Sequence, residues 1–340
     1  VAASDELLEI ETPKITNVME AGETGTLRRI VAQPGATLPI GGLMAVLAPA
    51  EIADTEIDIF VAGFVVPEAA GEDDAASDAP GPHVTEAGGK RLRYLDIGSG
   101  DGPPIVFVHG FGADLNTWMF NQPALAERHR TIALDLSGHG GSTKIMDFAL
   151  DAAGFAGDID HVLAALGVGR VHLVGHSMGG AIATSFAGSH PERVASLTLI
   201  APTGLGPEIN SEFIDGFAKA ERRREAQEVL RLLVHDPELV SRTMVEDVLR
   251  YKRLDGVAAA LAAIAAEWFP DGKQRQQFDI GSLPMPVQII WGREDRVIPA
   301  AHGEALAGRV PVRILDSAGH LPHMEKAAEV NRLIAGFIDS

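Results

Sequence analysis

Residues 84–340 of this 340-residue chain predict a doubly wound α/β domain with a mostly parallel sheet. Three observations predict it. Six short apolar runs, at 104–108, 131–134, 171–174, 196–200, 287–291 and 312–315, are bounded by turn residues. Their hydrophobicity is continuous rather than alternating, which is what strands covered on both faces of a parallel sheet require. Stretches with helical period, such as 155–166 and 178–189, lie between the runs, so the order is β-α-β-α. Finally, an acidic, Pro/Gly-rich stretch at 67–83 lacks aromatic and β-branched residues and cannot offset its chain entropy by burial. It reads as a flexible linker between residues 1–66 and the α/β domain.

The β-α rhythm breaks at about 203–283. That stretch is mostly helical, over 213–233, 237–254 and 257–268, with no clear strand. An insertion of this kind is expected over the carboxyl ends of the strands, as a helical lid on the ligand site. The chain carries a net charge of −19, so it has no electrostatic reason to seek nucleic acid or an anionic membrane surface. Residues 1–82 hold 15 acidic and 3 basic side chains, so most of that charge lies before the α/β domain. There is no cysteine, which excludes disulfides, thiolate metal sites and a cysteine nucleophile. No apolar run is long enough to span a membrane, and the start has neither a basic n-region nor an apolar h-region. A cytoplasmic protein with no metal is expected.

The chemistry begins at Gly175-His176-Ser177-Met178-Gly179-Gly180, with a strand before it and a helix after it. This is the Gly-x-Ser-x-Gly elbow in its required setting, and it makes Ser177 the candidate nucleophile. The amide of Met178 would stand at a helix N-terminus, where it can stabilise an oxyanion. The second oxyanion donor is expected from the loop His109-Gly110-Phe111-Gly112, which follows an earlier strand directly; the Phe111 amide is the candidate. His109 itself reads as a structural hydrogen-bonder. The acid is expected at the end of a later strand. Asp295, in Trp291-Gly292-Arg293-Glu294-Asp295, is favoured over Glu294. The loop at 201–206 contains no acid. The base is expected after the last strand, in Asp316-Ser317-Ala318-Gly319-His320, and His320 is preferred to His323, which is expected to open the final helix. In that arrangement His320 takes the Ser177 proton and Asp295 fixes its tautomer.

With these motifs in place, residues 84–340 resemble the α/β-hydrolases, whose chain order Ser177, Asp295, His320 reproduces. The turn Asp135-Leu136-Ser137-Gly138-His139-Gly140-Gly141-Ser142 also matches, with Ser137 where that family usually carries Pro. His139 and His176 read as packing or hydrogen-bonding residues. A Ser at the elbow argues against the dehalogenases and epoxide hydrolases of this fold, which use Asp there.

Residues 7–20 form two alternating stretches around Thr12-Pro13-Lys14, followed by short strand signals at 25–31 and 42–47. This segment resembles the second half of a lipoyl domain, and the resemblance makes Lys14 the lipoyl attachment residue at a hairpin tip. Pro13 stands where that family commonly has Asp or another small polar residue. About as many residues again usually precede this point. Residues 1–48 are therefore expected to form only a partial, all-β lipoyl-like segment, a truncated product or fragment. A lipoyl segment joined to an α/β-hydrolase domain resembles the acetyltransferase (E2) components of bacterial acetoin dehydrogenase systems. The resemblance implies acetyl transfer from dihydrolipoyl-lysine to coenzyme A, in concert with a thiamine-diphosphate-dependent E1 and a dihydrolipoyl dehydrogenase E3. The residues alone also allow a serine hydrolase acting on a small acyl substrate, an ester or a C–C bond of a diketone. A non-catalytic carrier is disfavoured by the intact triad.

Overall fold

The computed structural model describes residues 6–11, 16–20, 25–32, 43–49, 52–64 and 81–340. Lys14, and residues 67–80 of the expected linker, lie outside the described residues. Two units make up the chain, Val1–Ala79 and Pro80–Ser340. In the first, β1 (Glu6–Glu11) and β2 (Thr16–Glu20) pair antiparallel, with Glu11 opposite Thr16. β3 (Leu27–Ile30) and β4 (Ala45–Leu47) pair antiparallel as a second two-stranded sheet. A helix, α1 (Asp54–Gly63), follows and is not among the elements the sequence predicts. Asp54 and Glu56 in its first turn suit the positive end of a helix. Arg28 ties its start to β3, donating to Pro49 O at 2.6 Å and to the Asp54 carboxylate at 2.8 Å.

The second unit opens with the hairpin β5 (His83–Ala87) and β6 (Lys90–Ile97). Then come β7 (Ile105–Val108), α2 (Gln122–Ala126), β8 (Thr131–Leu134) and α3 (Ala152–Ala165). β9 (Val171–His176), α4 (Met178–Ser189) and β10 (Val194–Ile200) follow. Four helices come next: α5 (Ser211–Lys219), α6 (Arg223–Leu230), α7 (Arg242–Lys252) and α8 (Val257–Trp268). The chain closes with β11 (Val287–Gly292), α9 (Ala301–Glu304), β12 (Val312–Leu315), α10 (Pro322–Glu325) and α11 (Ala327–Ile338). The strands form one eight-stranded sheet in the order β12-β11-β10-β9-β7-β8-β6-β5. The pairings from β8 across to β12 are parallel, and only the two pairings of β6, with β8 and with β5, are antiparallel.

All six strands expected from apolar runs are present. The β5–β6 hairpin is an addition. Its strands are half-exposed and rich in charge, so they lack the continuous apolar run of the buried strands. The Gly88-Gly89 turn, with both residues at positive φ, is the local feature that marks it. Successive side chains on a strand point to opposite faces, and the core obeys this. Val106 and Val108 pack with Phe155, Ile159 and Phe186 of α3 and α4 on one face. Ile105 and Phe107 pack with Trp118, Val330 and Ile334 on the other. Continuous hydrophobicity in the strands is thus the signature of a sheet with a core on each side.

The lid differs from expectation at two helix boundaries. The single helix expected over 213–233 is broken between α5 and α6, where Ala220 is extended (φ −59°, ψ 121°). Lys252 of α7 donates its ammonium to the carbonyls of Phe217 and Ala220, ending α5 there. Glu225 accepts from the amides of Glu221 and Arg222 and starts α6. The helix expected from residue 237 begins instead at Arg242, because Ser241 accepts from the Met244 amide at 3.1 Å.

Ser137 acquires a structural reason. Its amide donates to Asp158 at 2.7 Å and its hydroxyl to the same carboxylate at 3.0 Å, while Lys90 donates to it at 2.8 Å. Asp158 is fully buried, so this set holds a charged group out of water. Proline could supply neither donor. Ser137→Pro is expected to cost about 3 kcal/mol by leaving the buried carboxylate short of partners. A urea midpoint equal to that of the parent protein would refute this role.

Candidate active site

The sheet reverses its winding direction between β7 and β9, and ligands of such folds bind at the carboxyl edge of that point. Ser177 follows β9 there, and the loop of His109 to Gly112 follows β7. Ser177 sits at φ 52°, ψ −122°, a conformation that costs of order 1–3 kcal/mol and persists only where neighbours fix it. Here they do. Its amide donates to Ile200 O at 3.0 Å, and its carbonyl accepts from Gly180 and Thr203 at 2.9 and 3.1 Å. Glycine is required on both sides by close approach. A Cβ at Gly175 would lie 2.5 Å from Gly179 O, and one at Gly179 would lie 2.2 Å from Val108 O.

The structure brings Asp295 and His320 together as the sequence predicts. His320 Nδ1 lies 2.8 Å from Asp295 Oδ2, both side chains being essentially buried. The carboxylate accepts three further bonds: Trp291 Nε1 at 2.9 Å, and the amides of Val297 and Ile298 at 2.8 and 2.9 Å. With Nδ1 donating, Nε2 of His320 is left as an acceptor. Glu294 instead accepts from the Ala318 amide at 3.1 Å, away from the imidazole. The His320 loop is pinned to the elbow, since His176 Nε2 donates to His320 O at 2.8 Å and the two rings are 4.8 Å apart. The Gly319 amide donates to Glu325 at 2.8 Å, and the His320 amide to Leu233 O at 2.8 Å. Trp291 and Glu325, which hold Asp295 and the His320 loop, are not singled out by the sequence. Nothing in their local pattern announces partners on other loops.

The two oxyanion candidates lie on neighbouring segments. Met178 is the first residue of α4, and Phe111 is in the loop beside it; a Cβ at Gly110 would lie 3.0 Å from Ser177 Cβ. Among the described residues neither the Phe111 nor the Met178 amide donates to a backbone carbonyl outside the regular elements. His109 is a structural hydrogen-bonder. Its Nδ1 donates to Gly110 O at 2.8 Å, and its Nε2 accepts from the Leu136 amide at 3.0 Å. His323 is a correction: it lies in the short α10, and the final helix begins at Ala327. Its ring packs on Trp118 and His176 at 4.7 and 4.5 Å, and its Nε2 is 3.2 Å from the Thr117 hydroxyl.

Burial keeps the surrounding imidazoles neutral. It pushes His139 and His323 down to about 3 and His176 well below its ordinary range. The same shifts set an acid response. Between the ordinary value of 6.5 and about 3, the unfolded chain holds protons on residues 139 and 323 that the folded chain refuses. The contribution of these two residues is thus complete above pH 6.5 and declines as pH falls, by roughly 1 kcal/mol per pH unit for each. His139→Gln should flatten the fall of the urea midpoint between pH 6.5 and pH 4; an unchanged slope would contradict this account.

Residues 103–327 match the α/β hydrolase fold family, and residues 1–47 match the family of biotin-requiring enzymes. The chain is 43% identical, over 331 residues, to the dihydrolipoyllysine-residue acetyltransferase component of acetoin cleaving system from Cupriavidus necator, covering 96% of this chain and 87% of that one. It is 42% identical over 343 residues to the Pseudomonas putida protein of the same name, covering 98% and 90%. Among solved structures, 2-hydroxy-6-oxo-6-phenylhexa-2,4-dienoate hydrolase from Rhodococcus sp. strain RHA1 superposes with a TM-score of 0.70 at 22% identity, covering 77% and 99%. That last likeness speaks for the fold.

Proposed function

The chain belongs to the α/β-hydrolase-fold family of dihydrolipoyllysine-residue acetyltransferase components of acetoin cleaving systems, and on that premise we propose that Ser177, His320 and Asp295 carry its acetyl transfer to coenzyme A. The observation that carries this reading is the meeting, in one chain, of a lipoyl-type segment at 1–47, a strained Ser177 and a buried Asp295–His320 pair tied to the Ser177 elbow through His176.

In this reading Ser177 attacks the acetyl thioester while His320 Nε2 takes its proton. The amides of Phe111 and Met178 hold the developing oxyanion. His320 returns the proton to the leaving sulfur, and the acetyl group rests on Ser177 as an ester. His320 then takes the proton of the coenzyme A thiol, the thiolate attacks the ester, and Ser177 leaves with that proton. Asp295 stabilises the imidazolium in both halves. Lys14 is our candidate for lipoyl attachment, since it falls in the connection 12–15 between the paired strands β1 and β2. The group it would bear supplies the acetyl thioester. A thiamine-diphosphate-dependent E1 to load that group and a dihydrolipoyl dehydrogenase E3 to reoxidise it complete the proposed assembly. Among the described residues no helix is long and apolar enough to cross a membrane.

The test offers acetyl-dihydrolipoamide with and without coenzyme A, and separately a small aryl ester. Acetyl-CoA formation is expected. Ester turnover with no acetyl-CoA would replace this reading with that of a serine hydrolase.

A further inference from the structure

The lid lays an aromatic cover on the machinery. Phe213 and Phe217 stand one helical turn apart on α5 and so share a face. The Phe213 ring centre is 6.5 Å from that of His320. Phe217 lies 5.9 Å from Phe111, and a Cβ at Gly112 would lie 2.1 Å from its ring. The Phe269 ring also meets Phe111 edge-on, at 6.3 Å. The cover is fastened at both ends. Asn210 donates to the carbonyls of Val297 and Arg296, just beyond Asp295. At the far end Lys252 holds the carbonyls of Phe217 and Ala220. Ser177 is 7% exposed and His320 only 2%.

We propose that Phe213 and Phe217 select the acceptor, favouring a thiol over water in the step that releases the acetyl group from Ser177. The proposal rests on the acetyltransferase reading. It follows from what each acceptor needs. A confined water needs two to four polar partners. Beside His320 the α5 face offers aromatic carbon, so on the Phe213 side a water finds no hydrogen-bond partner. A thiol is a weak donor and a weak acceptor, and it loses little when it leaves bulk water. Its sulfur also makes favourable contacts with ring edges. Both acceptors would lose one proton to His320 and form one bond to the acetyl carbon as the Ser177–acyl bond breaks. The products differ only in being acetyl-CoA or acetate. An apolar wall thus discriminates by solvation, without altering the reacting groups.

The experiment measures the partition of the acetyl group. The full chain is given acetyl-dihydrolipoamide and coenzyme A, and acetate and acetyl-CoA are quantified together. Phe213→Ala and Phe217→Ala, which open room for hydrated acceptors, are expected to raise the acetate to acetyl-CoA ratio by about tenfold or more. Phe213→Tyr adds one hydroxyl at nearly constant volume and should move the ratio the same way, so it serves where truncation impairs folding. Phe213→Leu, apolar throughout, should keep the parent ratio within about threefold. A parent protein that makes acetyl-CoA, with Tyr and Ala variants at its own ratio, overturns the inference and leaves the acetyltransferase reading standing. A parent protein that makes only acetate removes the reading itself.

Discussion

Ser177→Ala is expected to lower acetyl-CoA formation by roughly 10⁴- to 10⁶-fold with little change in stability. The activity loss follows from covalent catalysis: without the hydroxyl no acyl-enzyme forms, and the two thiols have no shared intermediate. Some rate above background should persist, because the Phe111 and Met178 amides still hold an oxyanion. Stability should hold because the strained backbone of residue 177 is secured by main-chain bonds to Ile200, Gly180 and Thr203, none of which uses the side chain. Alanine has the same Cβ and meets the same strain. The measurement is acetyl-CoA production beside a thermal melt. Retained transfer at even a tenth of the parent rate, with the fold intact, would mean that the acetyl group passes directly between thiols.

The parts of this site legible in the sequence are those set by local pattern at strand ends. Gly175 to Gly180, the loop of His109 to Gly112, Asp295 and His320 each follow a continuous apolar run, and the α/β order brings all such ends to one sheet edge. What escaped the sequence is made by partners distant along the chain. The break between α5 and α6 depends on Lys252, more than 30 residues further on. A run such as Glu221 to Arg224 is a good helix former and gives no warning of it. The β5–β6 hairpin escaped because edge strands with one wet face lack the continuous hydrophobicity that identifies the others. Ser137 departs from a common Pro for a reason the local sequence does not carry, its two bonds to Asp158 of α3. The histidines at 109, 139 and 176 pack and hydrogen-bond, as the sequence suggests, yet only the structure gives their partners.

Asp295→Asn is expected to lower turnover by about 10⁴-fold while leaving substrate affinity nearly unchanged. The reason lies in the four donors that converge on this carboxylate. Oδ1 receives the amides of Val297 and Ile298, and Oδ2 receives Trp291 Nε1 and His320 Nδ1. Asparagine has one acceptor oxygen and one NH₂. If its oxygen keeps the two amides, its NH₂ points at two further donors, and something must yield. Trp291 has a second acceptor in Ile298 O at 3.2 Å. His320 can escape only by moving its proton to Nε2, so that Nδ1 accepts from the new NH₂. That tautomer cannot take a proton from Ser177, and an imidazolium formed there would lack its counter-charge. The defect is one of protonation, so it predicts a particular kinetic form. Turnover should fall for transfer from the lipoyl donor and for an aryl ester alike, because both acylations draw on the same Nε2. Asp295→Glu keeps the charge but overfills a fully buried position, so it should lose stability as well as rate. An Asn variant within tenfold of the parent turnover would show that His320 does not depend on Asp295 for its tautomer.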